Sequence, residues 1–388
     1  AQAPIIDAIY VNQHGFEPQS PKIAIAHAET DVAQEWTLLR GEEIISRGET
    51  VPLGHSARAN QMLHRIDFTD IIKTGDAFTL RIGGIDSPEF SISTGLYDQM
   101  GKDAMAYFYH NRAGEPILAE HVGAAHARPA GHTGEVVTCF EGEDNWGSQW
   151  PGCNYELDVT GGWYDAGDHG KYVVNSGISV WTLLNAYERN PDVFPDGSLN
   201  IPEAGNGVPD ILDEARKNIE FMLSMQVPEG ETVWVAVGQQ DANAPLKLTE
   251  IDAGGMVHHK VSGIKWPGDA VMPQENNIPR ALYPPSTGAT LNVAAIGAQC
   301  ARIWRKIDAG FAERCETAMR NAFNASLSHK DVFAYNNFDG SGPYGDKSFD
   351  DEQSWSGMQM TQLHIPSRIV ATPADKFTEF DSPFPPSF

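Results

Sequence analysis

The chain of 388 residues carries 27 Lys and Arg against 52 Asp and Glu, a formal charge of −25, with 41% hydrophobic residues and 9 tryptophans. At about 150 residues per domain this is two or three domains with ample material for a core, which excludes intrinsic disorder. So much negative charge repels phosphate backbones and anionic lipid, so no nucleic acid and no membrane surface is expected as a partner, and no apolar run approaches the roughly 20 residues of a membrane span.

Ala1 to Pro4 lack the basic and apolar regions of a signal peptide, yet such small residues suit the end left when one is removed. The expected location is therefore secreted or periplasmic. From Ile5 to Ile92 short extended runs alternate with turn residues: Ile5–Val11, Lys22–Ala26, Glu35–Leu39, Glu43–Ser46, Met62–Phe68, Ala77–Ile82 and Glu89–Ser93. Such spacing predicts a small β-sandwich over residues 1–94, with Trp36 in its core.

The pattern changes at Thr94, and residues 95–388 form a second, helical domain. Leu96, Met100, Ala104 and Phe108 recur at helical spacing, as do Val180, Leu183, Leu184 and Tyr187. A further helix starts at Pro209 and runs through Ile211, Leu212, Ala215, Ile219, Met222 and Leu223. Ser286–Arg305 is small or apolar all round, which predicts a helix enclosed by others, and Phe311, Cys315, Met319 and Phe323 mark its outer neighbour. Helices alternating inside and outside suggest an array of αα-hairpins. Two long irregular stretches, Glu120–Gly161 and Asp241–Pro285, are expected to build a site.

Cys139 and Cys153 flank a loop rich in Gly, Asn and Trp, where a disulfide would contribute about 3 kcal/mol. They are expected to pair if the protein is exported. Cys300 and Cys315 lie in helices joined by a short turn, and two buried thiols is the reading preferred there.

The most informative string is GGWYDAGDHGKYVVN, Gly161–Asn175. Asp165 and Asp168, with only Ala166 and Gly167 between them, can face one point, and paired carboxylates fix and deprotonate a water. Trp163, Tyr164 and Tyr172 would add aromatic surface for sugar rings. Spacing alone leaves open an Asp-rich turn or part of a calcium loop. The string resembles the signature of glycoside hydrolase family nine, the inverting cellulases. NGVPDILDEARKNIEFMLSMQ, VHHKV, PRALYPPSTGATLNVAAIGAQCARIW and GPYGDKSFDDEQSW resemble that family's segments in the same order, through much of Thr94–Leu363.

The resemblance implies an immunoglobulin-like module followed by an (α/α)6 barrel. It implies Asp168 as general base, Asp165 holding the water, and inversion at a β-1,4-glucosidic bond of a β-glucan polysaccharide or oligosaccharide, as in an endoglucanase. It further implies His259 near the substrate, although a core histidine explains it as well; Tyr344 and Trp266 could serve as sugar platforms, since a flat apolar face stacks on a pyranose, although aromatic residues are more often simply buried. Inversion also needs an acid about 6.5–9.5 Å from the base, a late Glu in the family. Nothing after Gln353–His364 resembles that segment, and the tail Ser382–Phe388 is rich in proline. The chain is therefore expected to be part of a longer polypeptide with a truncated barrel, since an incomplete ring would expose faces such as Ala289–Ile303. An exo-acting hydrolase of chito-oligosaccharides and a non-catalytic glycan-binding protein remain alternatives.

In DKSFDDE, Asp346, Ser348, the Phe349 carbonyl, Asp351 and Glu352 offer oxygens to a hard cation, and the resemblance implies Ca2+ here. The alternative is a helix start rich in acids. Relatives with the immunoglobulin-like module use two Cys and two His for zinc where this chain has Ala113, Gly131, His132 and Tyr164. One imidazole does not make such a site, so no zinc is expected.

Overall fold

A computed structural model describes residues 6–241 and 244–364. Ala1–Pro4, from which export is expected, and the proline-rich tail lie outside the described residues. The chain divides into two compact units at residue 104.

Alternation of apolar and polar residues builds the first unit. In β2 (Ile23–Ala28) every second residue is buried, which seats one face of a sheet on a core. β1 (Ile6–Tyr10), β2, β6 (Gln61–Asp67) and β5 (Val51–Ser56) form one sheet in the order β1-β2-β6-β5. β3 (Glu35–Arg40), β4 (Glu43–Glu49), β7 (Gly75–Ile82) and β8 (Ile85–Asp86) form the other in the order β4-β3-β7-β8, with β9 (Phe90–Ile92) also on β7. All pairings are antiparallel. Phe16, Phe68, Phe78 and Phe90 fill the core with Trp36. A Cβ on Gly48 would lie 2.5 Å from the Trp36 ring, so glycine is what admits the indole.

β5 and β8 are additions to the expected strands. Pro52 and Gly54 break the strand pattern of β5, and both are tolerated because it is an edge strand with a register shift between them.

The second unit is helical with short β-ribbons. α1 (Asp98–His110) runs into it, followed by the single turn α2 (Ala119–Val122). α3 (Val173–Arg189), α4 (Asp210–Ser224), α5 (Thr287–Trp304), α6 (Ala309–Ser328) and α7 (Asp350–His364) follow. Pro209 caps α4 from outside instead of standing in its first turn. Every residue from Thr287 to Ala301 in α5 is buried, because α3, α4, α6 and α7 all pack on it. Of the Ala289–Ile303 face, residues 289–301 are covered, and Arg302 and Ile303 are partly exposed. Asp308 caps α6 by accepting from the Phe311 amide at 3.0 Å.

α5 and α6 form a tight αα-hairpin. A Cβ on Gly297 would lie 2.7 Å from the Cys315 carbonyl oxygen, so glycine sets the close approach. Cys300 and Cys315 accordingly sit with Cα atoms 6.0 Å apart and are disulfide-bonded. This corrects the reading of two free thiols: helical spacing gives no measure of how near two backbones come. Cys139 and Cys153 are bonded as well.

The two stretches expected to be irregular contribute strands to small sheets. β10 (Val136–Val137) pairs with β13 (Leu157–Asp158), and β11 (Glu141–Glu143) with β12 (Gln149–Pro151). β14 (Lys171–Tyr172), β17 (Lys260–Gly263) and β18 (Arg280–Leu282) make a three-stranded sheet, while β15 (Thr232–Ala236) pairs with β16 (Leu248–Asp252). Through β14 and β17 the Asp-rich turn is tied to the His259–Lys260 segment, Tyr172 standing opposite Lys260.

Candidate active site

The turn that carries Asp165 and Asp168 closes on its own backbone. The Asp165 amide donates to the Gly170 carbonyl at 2.9 Å and the His169 amide to the Ala166 carbonyl at 3.0 Å. His169 takes a φ of 55° at the bend. Tyr172 begins the exit into α3 and folds back, so that its hydroxyl donates to Asp168 Oδ2 at 2.8 Å. Asp168 Oδ1 accepts from the Gly170 amide at 2.8 Å.

Asp165 is held from two other directions. Asn175 Nδ2, in the first turn of α3, donates to its Oδ1 at 2.7 Å, and the Tyr344 hydroxyl donates to its Oδ2 at 2.7 Å. Each of the four carboxylate oxygens thus takes one protein donor in these bonds. An ionised carboxylate has about four lone-pair sites, two on each oxygen, so both groups keep capacity for a water. The cation of the motif does not quench them. Lys171 spends its charge on Glu135 at 2.7 Å, and Arg280 binds the same carboxylate. Burial would raise the Glu135 carboxyl, but Lys171 and Arg280 hold it below the usual range.

Asp165 opens on a cavity of about 70 Å³ lined in part by Tyr107, Phe108, Trp163, Tyr164, Tyr172 and Asn175. Its aromatic residues differ from the sugar surface expected of Trp163, Tyr164 and Tyr172, since all three are buried. Trp163 Nε1 donates to Glu214 at 2.9 Å and its ring packs on Phe108. Tyr164 shares a hydrogen bond of 2.7 Å with His132 Nδ1. These rings form the floor, and the open aromatic faces nearby are Tyr107 and Tyr344, 58% and 48% exposed.

The other expected substrate residues fall differently. His259 is buried, with Nδ1 2.8 Å from the Ser286 hydroxyl and Nε2 2.7 Å from the Pro343 carbonyl. A carbonyl only accepts, so Nε2 carries the proton and Nδ1 takes the Ser286 proton. Burial holds the ring down at about 4, hence neutral. Both nitrogens are thereby engaged with protein groups and not with a glycan. Trp266 is 49% exposed in the loop after β17 and does not line the cavity beside Asp165.

Asp346, Asp351 and Glu352 gather at the start of α7, with one oxygen of each within 4.8 Å of the others. Glu352 Oε2 is buried and has no hydrogen-bond partner. Burial, with Asp351 alongside, pushes the Glu352 carboxyl up to about 8. Two of the expected oxygens point elsewhere in bonding: Ser348 Oγ donates to Asp350 at 3.0 Å, and the Phe349 carbonyl accepts from the Gln353 amide at 2.9 Å.

Asn175 and Lys260 are the residues that inspection of the sequence missed. Asn175 closes the quoted motif, one turn beyond Tyr172. Lys260 follows His259 in VHHKV, and a lysine in a run otherwise buried is the signal that points to it.

Residues 97–375 match the profile of glycosyl hydrolase family 9, and residues 6–87 match the cellulase N-terminal Ig-like domain. A cellulose 1,4-beta-cellobiosidase of Acetivibrio thermocellus is 38% identical over 377 residues, covering 91% of this chain and 40% of the relative. Endoglucanase C of Cellulomonas fimi is 39% identical over 367 residues, covering 91% of this chain and 31% of the relative. Among solved structures, a metagenome-derived family 9 endoglucanase superposes with a TM-score of 0.71 at 29% identity, over 92% of this chain and 62% of that one. The chain thus spans less than two thirds of the length of these relatives. A β-rich Ig-like unit precedes a helical unit whose residues match along most of their length, and this chain belongs to glycosyl hydrolase family 9.

Proposed function

We propose that the chain belongs to an inverting hydrolase of β-1,4-linked glucans, acting in the manner of an endoglucanase. One observation carries the reading: two carboxylates on a single turn are each fastened by one donor per oxygen and keep free lone pairs, Asp165 at the edge of a cavity and Asp168 buried behind it. Asp165 holds a water by hydrogen bond and Asp168 takes its proton as the oxygen attacks the anomeric carbon. The leaving oxygen is protonated by an acid on the far side of the sugar, about 6.5–9.5 Å from the base, and that acid is assigned to no residue of this chain. The names of the relatives, a cellobiosidase and endoglucanases, support a β-glucan as substrate.

The test uses the full-length protein on carboxymethyl-cellulose and on chitosan oligomers. Asp168→Ala is expected to abolish release of reducing sugar from the first while leaving the circular dichroism unchanged, and proton NMR of the parent's product shows the inverted anomer. Undiminished release removes Asp168 from the mechanism, and preference for chitosan oligomers moves the substrate to glucosamine chains.

The helices are proposed as part of an (α/α)6 barrel, α5 among its inner members, which its enclosure supports. Ca2+ is proposed at Asp346, Asp351 and Glu352. Calcium–oxygen distances of about 2.3–2.6 Å place ligand oxygens up to about 5 Å apart, which suits this spacing, and the partnerless Glu352 Oε2 is an oxygen in want of a donor or a cation. Such an ion would fasten the start of α7 and the 341–349 segment. Calcium is expected to raise the melting temperature of the parent and not of Asp351→Asn, and equal shifts refute the assignment. Two disulfides support export to an oxidising compartment. Among the described residues no helix is long and apolar enough to cross a membrane.

A further inference from the structure

The segment 341–344 passes over the Asp-rich turn as a strap. Its last residue, Tyr344, bonds Asp165 through the hydroxyl and meets the Tyr172 ring edge-on at 4.6 Å between centroids. The strap carries one unfavourable backbone conformation. Tyr344 has a φ of 43°, in the left-handed region that a Cβ disfavours. It is gripped from β17 and the residue before it. Lys260 Nζ donates to the Gly342 carbonyl at 2.7 Å and lies 3.3 Å from that of Ser341, while His259 holds Pro343.

Lys260 is buried, and its ammonium faces the rings of Tyr283 and Tyr172 at 4.7 and 5.5 Å. The charged group facing it is Asp168 from the turn, and the titratable neighbour on its own segment is His259. We propose that Lys260 is a positioning residue: its ammonium pins the strap and so keeps the Tyr344 hydroxyl on the carboxylate that holds the water. The pinning stands on geometry alone, and its consequence for turnover rests on the hydrolase reading above.

Burial pulls the Lys260 ammonium down to about 8, against the attraction of Asp168. Tyr344, raised to about 12 chiefly by its bond to Asp165, does not itself ionise there. Glu352 and Lys171 lie near 8 as well, so a change at Tyr344 near pH 8 reports Lys260 where Lys260→Arg abolishes it. The experiment follows the ring carbons of Tyr344 by NMR across pH in the full-length protein labelled with carbon-13 tyrosine, the signal being identified by its absence in Tyr344→Phe. The parent signal is expected to step near pH 8. In Lys260→Arg, charged at every pH tested, it should keep its neutral-pH position without a step. In Lys260→Met it should be displaced throughout, with kcat lowered about tenfold, the effect of losing one charged hydrogen bond, and KM little changed. A folded Lys260→Met with the parent's Tyr344 signal overturns the proposal, as does a step that persists in Lys260→Arg. Where Lys260→Met does not fold, the arginine variant decides. The expected NMR pattern in a parent that hydrolyses no glucan leaves the pinning standing and overturns the hydrolase reading.

Discussion

Arg112→Met is expected to be among the most destabilising single changes in the helical unit. The Arg112 side chain is 1% exposed, just past the end of α1. Its Nε and Nη2 donate to the two oxygens of Glu214 at 3.1 and 2.8 Å, and Nη1 and Nη2 also reach Glu115 and Glu203. Lys217 stays within 3.1 Å of Glu115 and 2.9 Å of Glu203, so those two carboxylates keep a cation in the variant. Glu214 does not: it is fully buried, and what remains to it is the Trp163 indole. Removing one member of a buried pair costs about 3–5 kcal/mol, which at roughly 2–4 °C per kcal/mol lowers Tm by about 6–20 °C. Urea unfolding followed by far-ultraviolet circular dichroism measures it. Replacing Glu214 as well, in Arg112→Met with Glu214→Met, should recover most of the loss, because no uncompensated charge then stays buried. A single variant within about 0.5 kcal/mol of the parent would refute the assignment of Glu214 as a carboxylate dependent on Arg112.

The two adjacent histidines predict a pH dependence. Burial holds both His258 and His259 at about 4 in the folded chain, below the ordinary 6.5. The unfolded chain takes up these protons first, so stability should fall as pH drops from 6.5 toward 4. Ring proton NMR should show neither titrating near 6.5, and a midpoint there for either ring contradicts the buried neutral state. Asn175→Ala removes one of the two donors to Asp165. A hydrogen bond to a charged group contributes about 1.5–3 kcal/mol, so kcat of the full-length protein should fall about tenfold or more, with KM little changed, in a steady-state assay on cello-oligosaccharides. An unchanged kcat takes Asn175 out of the site.

The layout was legible in the sequence where periodicity is strong. Alternation in β2 and the small-residue run of α5 predict elements that the structure shows, because burial on one face or on all faces acts directly on composition. β5 was not legible, since Pro52 and Gly54 speak against a strand unless its edge position is known. At the site, the Asp165–Asp168 turn stood out because its spacing is local. Tyr344, Asn175 and Lys260 reach it from other elements, and Tyr344 meets Asp165 across 179 positions of sequence. Residue type does not encode exposure, so a buried ring such as Tyr172 reads in the sequence like one at an open surface.

The sulfur chemistry of this chain is lopsided. All four cysteines fall in the helical unit, where they close two small covalent rings, and the β-rich unit contains none. A reductant therefore addresses one unit of the two. Calorimetry with and without dithiothreitol should lower the melting of the helical unit, and where the β-rich unit melts separately its transition should stay in place. Production of the chain in a reducing host cytosol would burden the unit that carries the Asp pair.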